Sequence, residues 1–137
     1  MERARADLYA ATVLMRDPDA APWTAGVHLQ QAAEKALKSL LLHHALLPPR
    51  THDLDDLCER AVAVAPQLAG QSERLVGLTA FSVAERYPGA DGAAVDLAGA
   101  FERVESLVAA VAEIVSAEGV HAERTKTESK DDEERDA

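Results

Sequence analysis

Along most of this chain apolar residues return every three or four positions, the spacing of amphipathic helices. Between Arg3 and Arg16, Ala4, Leu8, Ala11 and Met15 fall on one face, with Thr12 between them. Asp17-Pro18-Asp19 and Ala21-Pro22 end that segment, because proline is not tolerated in a helix interior. A second run, from about Trp23 to Leu46, carries Leu29, Ala33, Ala36, Leu37, Leu40 and Leu41 on its stripe and stops at Pro48-Pro49. A third covers Asp53 to Ala65, with Leu54, Leu57, Cys58, Ala61 and Val62 facing inward. Thr51 or Asp53 suits its N-cap, and Asp55 and Asp56 suit the positive end of its dipole.

Pro66 and Gly70 punctuate the chain before a fourth helix, expected from Ser72 as N-cap through Leu75, Leu78, Thr79 and Val83 to Arg86-Tyr87-Pro88-Gly89. Leu75 stands three residues after Ser72, so there is no capping box. A fifth runs from about Ala93 to Ala117 and carries Leu97, Phe101, Val104, Leu107, Val108, Val111 and Val115. From Val120 onward VHAERTKTESKDDEERDA has almost no apolar content and cannot offset its ordering entropy. The pattern predicts an all-α fold: an antiparallel bundle of about five helices over residues 1–118, then a disordered acidic tail over 119–137 into which helical turns can fray.

Composition sharpens this. Of the 137 residues 47% are hydrophobic but only 4% aromatic, so the core must be built from Ala, Leu and Val. The net charge of -10 disfavours a broad nucleic-acid footprint, although a local basic pocket remains compatible with it. Cys58 is the only cysteine; no intrachain disulfide can form, and its apolar neighbours mark it as a core residue rather than a nucleophile. The opening MERARADLYA lacks an apolar run of signal-peptide type, and no segment reaches the roughly 18 apolar residues of a membrane span. A soluble, cytoplasmic protein without membrane contact is expected.

Four polar groups stand out. His28, Gln31, Lys35 and Lys38 or Ser39 form one stripe of the second helix, and Glu34 with Lys38 makes an i, i+4 pair, the pattern of a solvated face. His43-His44 point about 100° apart on a helix and match no zinc spacing, so no metal is expected. Arg50-Thr51-His52-Asp53 follows a stiff proline pair and precedes a helix N-terminus, where it can hold a phosphate or simply organise the loop and cap the helix. Arg86-Tyr87 can bind a phosphate and stack a base, or close a loop over the bundle end. No phosphate loop, nucleophile elbow or paired catalytic carboxylate is present.

The order His28-Leu-Gln-Gln31-Ala-Ala-Glu34-Lys35-Ala-Leu-Lys38, then Pro48-Pro49-Arg50-Thr51-His52-Asp53-Leu54, then Leu78-Thr79 through Arg86-Tyr87-Pro88, resembles the prokaryotic HEPN domain from the first helix to Ala117. The resemblance implies a helical bundle that commonly dimerises and is often encoded beside a minimal nucleotidyltransferase as a toxin–antitoxin pair. Some members are metal-independent ribonucleases using an Arg and a His four to six residues apart; others bind nucleotide or RNA without catalysis. Here no arginine has a histidine at that spacing, and Arg50 and His52 are too close. The expectation is therefore a homodimer and nucleotidyltransferase partner that needs no cofactor. Its nucleotide or RNA phosphate would be held by Arg50 and His52, with Arg86, Tyr87, Gln31 and Lys35 as weaker candidates. The alternatives are a ribonuclease in which His52 or His28 replaces the missing histidine, and a structural dimer module.

Overall fold

The second helix is the one around which the others are arranged. The computed structural model describes residues 1–75, 78 and 96–135, and the side chains of these through residue 117 apart from Ser72 and Arg74. Helix α1 (Glu2–Arg16) and helix α2 (Pro22–His43) form an antiparallel hairpin, and α2 also packs against helix α3 (Leu54–Val64) and the last helix, α5 (Leu97–Arg135). Between Pro66 and Leu75 the chain makes three short turns in succession, Pro66–Leu68, α4 (Ala69–Ser72) and Glu73–Leu75.

Why α2 occupies the centre follows from its side chains. From Ala25 to Leu41 none of its residues is fully exposed. Ala25, Ala32 and Ala36 share an arc with His28, Lys35 and Ser39, the residues that bond to α1, and α1 answers with buried Ala4 and Ala11. Small side chains on both sides allow the two helices to approach closely. Next round the helix, Leu29, Leu37, Leu40 and Leu41 meet Leu54, Leu57 and Leu68, and Ala100, Val104, Leu107, Val108 and Val111 of α5 complete the core. Met15, expected on the inner face of α1, is instead 37% exposed.

The ends of the helices are set by recognisable chemistry. Asp53 is the N-cap of α3, its carboxylate accepting the Asp55 N–H at 2.9 Å. Asp96 accepts the Gly99 N–H at 3.0 Å and so starts α5 four residues later than the expected Ala93. At the C-terminus of α2, Leu46 N–H bonds to Leu41 C=O and Ala45 N–H to Leu42 C=O, both at 2.9 Å. That is a complete Schellman motif, and it ends the helix at His43 rather than near Leu46. Ala45 occupies its left-handed position with φ 57°, where glycine is usual.

Two other expectations change. Ser72 is not the start of a helix but the last residue of α4, because helical turns already begin at Pro66. Glu73–Leu75 form a short turn, with Leu75 and Leu78 buried as the pattern expected; the remainder of the expected fourth helix, from Thr79 through Val83 to Gly89, lies outside the described residues. Helical geometry in α5 runs on to Arg135, through most of the segment 119–137 expected as a tail. Among the described side chains, the last to pack on the core are Ile114 and Val115. Cys58, 6% exposed, is a core residue; burial and the nearby Asp55 and Asp53 push its thiol up to about 11. Among the described residues no helix is long and apolar enough to cross a membrane.

An L-residue in the left-handed region is strained by about 1–2 kcal/mol, and replacing it with glycine returns part of this as extra unfolded-state entropy. Ala45→Gly should therefore stabilise the fold by about 0.5–1 kcal/mol. Urea denaturation of the two proteins reads the difference; a destabilised variant would contradict the strain.

Candidate functional site

One turn after another, α2 places Gln30, Glu34 and Lys38 on a single row at i, i+4 spacing. Gln30 is fully buried and Glu34 is 5% exposed, so this row is not a solvated face. A carboxylate at such a place must find donors, since leaving it unmatched would cost several kcal/mol. Glu34 has them: Lys38 Nζ donates to Oε1 at 2.8 Å, Gln30 Nε2 to Oε2 at 3.1 Å, and His52 Nδ1 lies 3.1 Å from both oxygens.

Gln30 completes the network. Its Nε2 also donates to the His52 carbonyl at 3.2 Å, and its Oε1 accepts from Gln31 Nε2 at 3.0 Å. His52 is thus gripped by both backbone and side chain from α2. Beyond it, Thr51 Oγ1 accepts the Asp53 N–H at 3.1 Å, and Asp53 caps α3. The α2–α3 corner is fixed residue by residue.

The electrostatics follow from the same contacts. Burial alone pushes the Glu34 carboxyl up, but hydrogen bonds from Lys38, His52 and Gln30 and the charge of Lys38 outweigh it, so the group is held below its ordinary 4.5. Ionised Glu34 can only accept, which puts the neutral His52 proton on Nδ1 and leaves Nε2 as the nitrogen available to a ligand. The His52 side chain is 62% exposed, so that nitrogen can be reached.

A second trio sits on the α1 side of α2. Asp7 Oδ1 lies 2.9 Å from His28 Nδ1, and Lys35 donates to Asp7 Oδ2. Asp7 is 13% exposed, and this trio ties α1 to α2 as the first ties the corner to α2. His28 and Lys35 therefore belong together, while Gln31 belongs with Gln30, Glu34, Lys38 and His52.

Arg50 is exposed beside the corner and makes no ion pair among the described residues. The α3 N-terminus, expected to help Arg50 attract an anion, is already occupied by the Asp53 carboxylate and carries Asp55 and Asp56 in its first turn. What remains to meet an anion there is the Arg50 guanidinium and the His52 ring. Arg86 and Tyr87 lie outside the described residues. Reading polar residues as a solvated stripe missed Gln30, Glu34 and Asp7. The signal was available for two of them: Gln30 and Glu34 stand seven residues before Leu37 and Leu41, on the same arc as core leucines. Among the described residues no three His, Cys, Asp or Glu converge as metal ligands would.

An all-helical bundle whose central helix carries a buried Gln–Glu–Lys row, locked to a Pro-Pro-Arg-Thr-His-Asp corner, defines the class of protein. Residues 1–120 match the family model for the HEPN domain, and the chain belongs to that family. Comparison with curated proteins and with solved structures gives no match.

Glu34 supplies a testable pH signature. Its folded-state pKa is below 4.5, so around and just below that pH the unfolded chain binds more protons than the native one. The stabilisation it provides is then complete above about 4.5 and is lost as pH falls through the folded value. Glu34→Gln should cost about 1–3 kcal/mol near neutral pH, because an amide cannot accept from all three donors. The gap between wild type and variant should close as pH falls below about 4.5, read by urea denaturation across pH. A gap that is constant with pH would contradict the assignment.

Proposed function

We propose that this HEPN-domain protein acts as the partner of a minimal nucleotidyltransferase in a toxin–antitoxin type pair, and that its α2–α3 corner binds a nucleotide or RNA phosphate through Arg50 and His52. The observation that carries the ligand part is the hold of buried Glu34 on His52 Nδ1. It presents the rest of the ring to solvent, two residues from an exposed Arg50 that has no ion-pair partner among the described residues. The planar Arg50 guanidinium donates to phosphate oxygens, and His52 in its imidazolium form, with Nδ1–H still on Glu34, donates to them from Nε2; neither needs the site to rearrange. On a chain of net charge -10, such a local pair of donors is where an anion can be held. The pairing with a nucleotidyltransferase rests on the family; a small nucleotidyltransferase gene next to the one encoding this chain would support it.

A second reading, a metal-independent ribonuclease, is favoured by one feature of the same geometry. A histidine tied to a carboxylate through Nδ1 has the arrangement of a general base acting through Nε2, and here it could take the proton of a ribose 2′-hydroxyl. The His28–Asp7 pair has the same form. Against it stands the lack of an Arg and a His at the family's catalytic spacing.

Calorimetric titration with ATP and with a short RNA decides between them. Arg50→Ala should weaken binding by about 1.5–3 kcal/mol, the range for a charge-assisted hydrogen bond, and leave the fold intact. Equal affinity would reduce Arg50-Thr51-His52 to a loop-and-cap element. RNA cleaved in the presence of a chelator, with the activity lost in His52→Ala, would establish the ribonuclease instead.

A further inference from the structure

We infer that the outer face of α1 is the surface through which two copies of this chain associate, as an antiparallel α1–α1 pair centred on Tyr9. Val104, Leu107, Val108 and Val111 of α5 are all buried within the chain. Exposed apolar area lies elsewhere, and on α1 it has a register.

Glu2, Arg5, Ala6, Tyr9, Val13 and Arg16 are all exposed. At 100° per residue they occupy one arc of about 100°, opposite the buried Ala4 and Ala11. Tyr9 is 72% exposed and Val13 48%, a large ring and a branched side chain one turn apart on a face that no described element covers.

The ends of this face carry charges of opposite sign. Glu2 lies seven residues before Tyr9 and Arg16 seven after it, while Arg5 and Val13 lie four before and four after. A two-fold axis through Tyr9, with the helices antiparallel, brings each Glu2 opposite the partner's Arg16. It stacks the two tyrosines and lays the aliphatic stem of each Arg5 on the partner's Val13. The face is complementary to itself, as an isologous contact requires. It also answers the charge problem: copies of net charge -10 repel each other, but this helix exposes Arg3, Arg5 and Arg16 against Glu2, with Asp7 already paired to His28 and Lys35. This inference is independent of whether the α2–α3 corner binds a phosphate.

Sedimentation of the full chain at micromolar concentration tests it. The wild type should sediment at twice its 14.6 kDa chain mass. Tyr9→Arg should give a monomer with unchanged helicity and unfolding midpoint. Arg16→Glu places two acidic pairs across the axis and should weaken association about tenfold. Adding Glu2→Arg to that variant restores both pairs with their signs exchanged and should restore the dimer. Leu47→Arg, at a residue 90% exposed away from this face, should leave it unchanged. A monomeric wild type, a dimer indifferent to Tyr9→Arg, or a charge reversal that the second substitution does not rescue would overturn the proposal.

Discussion

A carboxylate is expensive to bury, and the position of Glu34 makes the rest of the corner necessary. It sits on the arc of α2 that carries core leucines, where water is excluded. The donors that satisfy it come from two sources. Gln30 and Lys38 are supplied by the helix itself, one turn before and one turn after. His52 is supplied by the loop, and can be supplied only if that loop returns along α2 rather than leaving it. The Schellman turn at Ala45 and the stiff Pro48-Pro49 pair direct the chain back. Gln30 then holds the His52 carbonyl, and Thr51 and Asp53 convert the end of the loop into the start of α3. The position of α3 in the bundle is thereby tied to a polar network rather than to hydrophobic packing alone.

That arrangement gives α2 three different sides. One is lined with alanine and brings α1 close, secured by the Asp7 trio. One is lined with leucine and closes the core with α3 and α5. The third is the Gln30–Glu34–Lys38 row, from which the α2–α3 corner is built. Because the row is buried, the imidazole it holds has a fixed orientation, and the proposed phosphate ligand would not pay the entropy of ordering it. Arg50, with no ion pair among the described residues, is the exposed counterpart of that fixed group.

Helices α1, α2, α3 and α5 were legible because their signals are local. Periodicity gave the apolar stripes, proline gave the breaks, and Asp53 announced the cap of α3. Boundaries shifted where a cap with a weaker signature decided them: Asp96 at the start of α5, and an alanine, not a glycine, in the left-handed position at the end of α2. The site was only half legible. His52 and Arg50 were visible as a motif, but the burial of Gln30 and Glu34 depends on what α3 and its loop do in three dimensions. An i, i+4 pair of Glu and Lys has the same appearance on a wet face and a dry one. The distinguishing feature was the seven-residue offset to Leu37 and Leu41. Asp7 carried no comparable mark, since its partners come from another helix.

If the corner depends on the bond between Glu34 and His52, the two residues must be energetically coupled. A double-mutant cycle with Glu34→Gln, His52→Ala and the double variant, followed by urea denaturation near neutral pH, measures that coupling directly. The double variant should be destabilised by less than the sum of the two single variants, by about 0.5–2 kcal/mol. Strict additivity would mean that the two side chains stabilise the fold independently and that the corner is held by something else.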